Sequence, residues 1–243
     1  MRITALLVAA HFLGLGAGSA AAVQTTDVEV DHVWILVTPR APEAARMLEA
    51  GLSFLPDTSI HEGQGTASIS TIFENAYLEL LWFDGPEDPL RIAERSQWRT
   101  TGASPFGVGL RMVDTLAAEL PFQTRSYHAP WMIPGTAIEI ASHQDRYLVE
   151  PVFFVVPPYM SLPAALRQIG PPPQQPSGIR RLTDVRITIP EAETRSEALQ
   201  VLRENRTLQF EVRDEHLLEL EFDGGVQGKA LDFRPGLPLV IRY

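Results

Sequence analysis

Asp31-His32-Val33-Trp34-Ile35-Leu36-Val37 and, further along, Ala76-Tyr77-Leu78-Glu79-Leu80-Leu81-Trp82-Phe83 are the two stretches that decide the fold. Each is a run of strand-forming apolar residues interrupted by one side chain able to ligate a metal. Between them, Pro42-Glu43-Ala44-Ala45-Arg46-Met47-Leu48-Glu49-Ala50 has Pro at a helix-starting position and good helix formers behind it, with Gly51 where a helix stops. Residues 66–74 read as a strand that meets 76–83 across a hairpin turn at Glu74-Asn75, and residues 52–58 leave room for one more short strand. The order is that of a βαβββ unit with one candidate ligand on its first strand and one on its last.

A comparable order recurs twice. Residues 106–112 read as a strand, 113–120 as a short helix, and 137–142 with 146–156 as paired strands. Residues 184–189 then read as a strand, 190–203 as a helix, and 207–212 with 216–222 as a hairpin. Leu218-Glu219-Leu220 echoes Leu78-Glu79-Leu80, and Phe-Asp-Gly follows at 83–85 and again at 222–224. The phase slips by one residue between the two, so the repeat is weak. Residues 158–178 are dense in Pro and Gln, with Pro171-Pro172-Pro173-Gln174-Gln175-Pro176 at their centre, and read as an extended, semi-rigid connector. The expected organisation is a leader over 1–22, a two-unit domain over 26–157, this connector, and a third βαβββ-like unit over 179–243.

A chain of 243 residues with 45% hydrophobic content buries a proper core. Its formal charge of −10 and its single Lys, Lys229, exclude the basic surface that nucleic acid requires. Residues 1–22 have the make-up of a secretory signal peptide: Arg2, an apolar centre from Ala5 to Leu15, and small residues from Gly16 to Ala22. The expectation is a periplasmic or secreted protein whose mature chain begins near Val23, with no stable membrane insertion once the leader is cleaved. An uncleaved anchor is the alternative. The chain has no Cys, which removes disulfides and thiolate catalysis.

With the Asp31-His32-Val33 opening, the loop His61-Glu62-Gly63-Gln64-Gly65-Thr66 and Tyr77-Leu78-Glu79-Leu80 in view, residues 28–156 resemble the glyoxalase-like branch of the vicinal oxygen chelate superfamily. The resemblance implies an α+β fold of repeated βαβββ modules whose mostly antiparallel sheets curl into a cup. It also implies a divalent ion in metal-using members, with ligands from the first and last strands of each of two paired modules. On that pattern His32 and Glu79 are the ligands of the first module. The partner module should supply two more. If the partner is the second unit, Phe106 or Gly107 and Val149 stand at the ligand positions, and none of them ligates. If it is the third, Asp184 and Glu219 complete an all-N/O set suited to Zn, Mn, Fe or Ni.

Other candidates come from the residues alone. A carboxylate among apolar neighbours, as Glu79 is, must find a cation, a donor set or a proton. The alternative for His32 is a packing histidine bonded to Glu79 or to backbone. Gly63 and Gly65 permit backbone angles that expose N–H groups to a substrate, or simply an entry into the next strand. Tyr127-His128-Ala129-Pro130-Trp131 suits the wall of a small-molecule pocket, with His128 as acid or base, or a loop that caps the core. Arg111 pairs with a buried carboxylate or with a substrate anion. Glu219 ligates, serves as base, or is solvated at a sheet edge.

Two functions follow. One is a divalent-metal lyase, isomerase or dioxygenase acting on a small oxygen-rich molecule. The other is a metal-free cup that sequesters a small molecule. Oligomeric state is open, since modules of this kind also pair between chains and form homodimers.

Overall fold

β1 (Val28–Leu36) runs through the middle of the first sheet and sets its two faces. In the computed structural model, which describes residues 28–113, 119–191 and 195–243, it is followed by α1 (Ala44–Glu49), β2 (Ser59–His61), β3 (Thr66–Ile72) and β4 (Tyr77–Phe83). Two short helices, α2 (Ile92–Arg95) and α3 (Trp98–Thr101), lead to β5 (Phe106–Met112), β6 (Thr124–Tyr127), β7 (Ile138–Ala141) and β8 (Val152–Val155). These eight strands form one sheet in the order β2-β3-β4-β1-β5-β8-β7-β6. The order is symmetric about the β1/β5 seam, where the two strands pair antiparallel with Val33 opposite Val108. β4 lies parallel to β1 and β8 parallel to β5, and the remaining pairings are antiparallel. The result is the α+β, cup-shaped and mostly antiparallel sheet that the sequence leads one to expect, with its second unit as partner of the first.

A bulge at Asp31 sets which side chains reach the cup. The β1/β5 register passes from Val30 opposite Leu110 to His32 opposite Gly109, leaving Asp31 unpaired. One extra residue inverts the alternation, so that Val28 and Val30 face the core, and so do Val33 and Ile35 beyond the bulge. His32, Trp34 and Leu36 are thereby turned to the concave side.

The convex side is covered by the rest of the chain. A 3₁₀ turn (Pro158–Met160) and α4 (Leu162–Ile169) precede β9 (Leu182–Ile189), α5 (Glu197–Leu202), β10 (Leu208–Val212), β11 (Leu217–Phe222), β12 (Ala230–Asp232) and β13 (Leu239–Arg242). The second sheet has the order β10-β9-β11-β13-β12. Its inward residues, among them Val185, Ile187, Leu218 and Ile241, join Val33, Ile35, Leu80, Val108 and Phe153 in one continuous core. Phe73 meets Phe222 with ring centroids 4.4 Å apart, and Phe153 meets Phe210 edge to face at 5.8 Å. Asn75, in the turn before β4, exchanges two hydrogen bonds of 2.8 and 2.9 Å with the backbone of Leu182 and so ties the two sheets together.

Several expectations need correction. β10 and β11 are not a hairpin, because β9 lies between them, parallel to β10 and antiparallel to β11. The third unit therefore has a different strand order from the first two. The connector is not extended throughout, since Pro163 sits in the first turn of α4, where a missing N–H costs nothing. Its later part has neither helix nor strand, and there buried Gln175 pins it by accepting from the Ser53 N–H at 2.7 Å and donating to the Ile72 carbonyl at 3.0 Å. The short strand of the first module is residues 59–61 and not 52–58. The leader over 1–22 and most of the helix expected over 113–120 lie outside the described residues. Among the described residues no helix is long and apolar enough to cross a membrane.

Candidate functional site

The concave face encloses a cavity of about 130 Å³. Its floor is the cup side of β1 and β4, with His32, Trp34, Tyr77, Glu79 and Leu81. Ile138, Ile140, Phe154 and Val156 form the wall from the second module. Leu90 and Ile92, from the segment after β4, and Tyr127 and Trp131, from β6 and its loop, close over the top. The Trp131 indole N–H donates to the Glu62 carbonyl at 3.3 Å, bridging the rim from one module to the other.

The polar groups sit on one side. Glu79 is 8% exposed, and its Oε1 accepts a 2.5 Å hydrogen bond from the Ser68 hydroxyl. His61 Nε2 stands 3.5 Å from the same oxygen, while its Nδ1 shares a 2.9 Å hydrogen bond with the Thr66 hydroxyl. Strand alternation explains this cluster. Ser70 lies opposite Glu79 in the β3/β4 register, so Ser68 and Thr66 share the cup face with it, and His61 lies opposite Thr66. Gln64 adds an amide at the mouth. The buried Tyr127 hydroxyl lies near it without a hydrogen bond of normal geometry. Burial is the main cause that raises the pKa of this phenol.

His32 is held from behind. Its Nδ1 donates to Asp31 at 3.1 Å, its ring stacks on Tyr77 at 4.3 Å, and Phe154 meets it edge-on at 5.2 Å. A carboxylate on Nδ1 fixes the tautomer and leaves Nε2 as the free nitrogen. Burial, then the negative charges of Glu79 and Asp31, push the pKa of Tyr77 well above the usual phenol range, so its hydroxyl stays protonated. Opposite these rings the seam strand carries glycine. A Cβ on Gly107 would lie 2.0 Å from the Trp34 ring, and one on Gly109 2.3 Å from the His32 ring. Gly107→Ala is therefore expected to cost about 1–3 kcal/mol through overpacking. The Trp34→Ala background should abolish most of that cost in a urea-unfolding double-mutant cycle; additive losses would show that the two residues do not compete for space.

Two four-stranded modules, β1–β4 and β5–β8, joined through their first strands, with a lined cavity on the concave face, are the arrangement the resemblance implies. The fold is glyoxalase-like. No protein-family model matches the chain, and no curated protein matches it. Among solved structures, a hypothetical protein from Staphylococcus aureus is similar at 12% identity over 88% of this chain and 99% of its own, with a TM-score of 0.45. A methylmalonyl-CoA epimerase from Streptomyces coelicolor, in complex with 2-nitronate-propionyl-CoA, is similar at 15% identity over 52% of this chain and 96% of its own, with a TM-score of 0.34. A mutant 4-hydroxymandelate synthase from the same organism is similar at 13% identity, covering 88% of this chain and 61% of its own, with a TM-score of 0.37.

In this glyoxalase-like cup the pseudo-twofold relates His32 to Gly107 and Glu79 to Phe154, taking Val33 and Val108 as the pair on the axis. Val149 is not the counterpart of Glu79, because β8 begins only at Val152. The second module thus offers no donor at either ligand position. Nor does the third unit supply them. Asp184 accepts from the Gln209 amide at 3.0 Å, and Glu219 pairs with Arg242 at 3.0 Å and Arg186 at 3.7 Å on the second sheet. Burial, then Glu221, keeps the pKa of Asp184 above its ordinary value despite Arg186. Among the described residues no group of three or more His, Cys, Asp or Glu side chains converges to hold a metal ion. The residues present do not fit a resident divalent cation.

The other candidates distribute as follows. Tyr127 and Trp131 line the cavity, but His128 does not; it is exposed, and its Nδ1 donates to the Thr136 carbonyl at 2.9 Å. Gly65 is structural: its φ is 62°, and a Cβ there would lie 1.9 Å from the Glu87 carbonyl. Gly63 lies beside the Tyr127 hydroxyl, 3.2 Å from where its Cβ would be, outside the cavity lining. The loop contributes the side chains of Gln64 and Thr66 in place of glycine N–H groups. Arg111 takes the first of its two alternatives, pairing with Glu29 at 2.7 Å and Asp31 at 3.3 Å away from the cup.

Proposed function

We propose that this protein is a binding cup for a compact, largely apolar small molecule, held without a metal ion. The observation that carries this reading is the division of the cavity into a polar half from the first module and an aliphatic and aromatic half from the second. A dry cavity of about 150 Å³ takes up a benzene ring, so the 130 Å³ here is on the scale of a single small ring. On the ligand pattern that the resemblance implies, a metal-dependent lyase, isomerase or dioxygenase draws donors from both modules, and Gly107 and Phe154 stand where the second pair belongs. Binding needs nothing from those positions except shape.

The test is a thermal-shift screen of single-ring aromatic compounds, with and without EDTA, on purified protein whose metal content is measured. A ligand at 100 times its Kd stabilises by about 2.7 kcal/mol, which raises Tm by about 5–10 °C for a chain of this size. That shift should survive EDTA and weaken in Trp131→Ala. Near-stoichiometric metal that is lost in His32→Ala, with no shift from any compound, would sink the binding reading and restore the metal enzyme.

A further inference from the structure

The charges around the cavity bear on the charge of its occupant. Among the described residues its lining contains one carboxylate, Glu79, and no Lys or Arg. Glu79 is only partly satisfied. Ser68 donates to one oxygen, and His61 Nε2, at 3.5 Å, is at the limit of a hydrogen bond. His61 is also engaged on its other side by Thr66, and His32 by Asp31, so neither imidazole is free to turn fully onto the carboxylate. A buried carboxylate short of a cationic partner carries a desolvation penalty that an incoming cation relieves.

The rest of the lining suits the same guest. Trp34, Tyr77, Tyr127, Trp131 and Phe154 all face the cavity, and ring faces attract cations through their quadrupoles. An anion entering the cup would meet Glu79 with no fixed positive charge to offset it. The chain's net charge of −10 adds a long-range field of the same sign.

We propose that the occupant is a compact organic cation, with an ammonium or amidinium head against Glu79 and an apolar ring or chain against Ile138, Ile140 and Phe154. The proposal rests on the binding-cup reading and names the ligand class of that site. Glu79 selects by charge, Ser68 holds it in place, and the second module supplies the apolar contact.

Three probes of one size test it by calorimetry at low salt: benzylammonium, benzyl alcohol and benzoate. Benzylammonium should bind about tenfold or more tightly than benzyl alcohol, with benzoate the weakest, since a desolvated charge pair separates such guests by at least that factor. Added salt should weaken benzylammonium and leave benzyl alcohol unchanged. Glu79→Gln should erase the preference for the cation, so that benzylammonium binds that variant no more tightly than benzyl alcohol does. Should that variant fail to fold, the salt dependence of the wild-type protein decides alone. Benzyl alcohol or benzoate binding as tightly as benzylammonium would overturn the proposal and leave the cup reading standing. If none of the three binds, the cup reading falls and the proposal with it.

Discussion

Arg95→Ala is expected to lower the stability of the protein by about 3–5 kcal/mol, the scale of a large-to-small replacement in a core that also strands buried carbonyls without their donor. Arg95 has no exposed surface, and among the described residues its guanidinium donates to no carboxylate. It donates instead to five backbone carbonyls, those of Leu90, Ser104, Gln144, Leu148 and Glu150, at 2.8–3.3 Å. Those carbonyls belong to the segments that lead into α2, β5 and β8, so one side chain fixes where the seam strand and its parallel neighbour begin. The arrangement has an electrostatic cost. Burial pulls the guanidinium pKa from 12.5 down to about 10, with Arg91 adding to the effect and Glu94, Glu150 and Asp88 opposing it. It remains charged near neutral pH, and the carbonyl cage must outweigh the penalty.

Three replacements separate these contributions in urea unfolding. Alanine removes the donors and leaves a void; methionine fills much of the void but donates nothing. Lysine keeps the charge with three donors in a different geometry. The expected order of loss is alanine largest, then methionine, then lysine. A methionine variant as stable as the wild type would mean that relief of the buried charge cancels the five hydrogen bonds, and the cage would lose its assigned role.

What was legible in the sequence is what local periodicity encodes. β1, β4 and β5 are largely apolar runs, and each falls within a residue or so of its reading. Glu79 stands out because it is the only charge in β4. The rest depends on long-range pairing. His61 and Ser68 reach Glu79 only through the β2/β3 and β3/β4 registers, and the register that the Glu74-Asn75 turn sets was the one available signal for Ser68. A strand over 146–156 does not match Phe154 to Glu79, since the late start of β8 at Val152 shifts every facing position. The hairpin reading of residues 207–222 failed because nothing local in two strands joined by a short loop reports a third strand inserted between them.

The bulge at Asp31 is the deepest of these long-range features, and Asp31→Asn is expected to cost about 2–4 kcal/mol at neutral pH, somewhat under the range for breaking a buried charge pair because the side-chain volume is kept. The carboxylate has no exposed surface and accepts from His32 Nδ1 at 3.1 Å, Arg111 Nη1 at 3.3 Å and the Leu162 N–H at 2.8 Å. Leu162 is the first residue of α4, whose own N-cap, Ser161, donates its hydroxyl to Pro158 instead of capping. Asp31 thus serves as a distant cap for α4, the counter-ion of Arg111 and the orienting group of His32. Burial alone would raise its pKa; the bond and charge of His32, the Leu162 N–H and the charge of Arg111 together bring it below 3.8.

A lowered carboxylate pKa makes stability that is fully present above the unfolded value of about 3.9 and is lost as pH falls through the lower, folded value. The wild type should therefore lose its advantage over Asp31→Asn progressively below about pH 4 and keep it unchanged between pH 5 and 7 as far as this group is concerned. Unfolding free energies of the two proteins, measured in urea from pH 7 down to the acid transition, give the difference directly. A gap that stays constant through that acid range would show that the charge of Asp31 does not carry the stabilisation, and the joint between cup, α4 and Arg111 would then rest on shape alone.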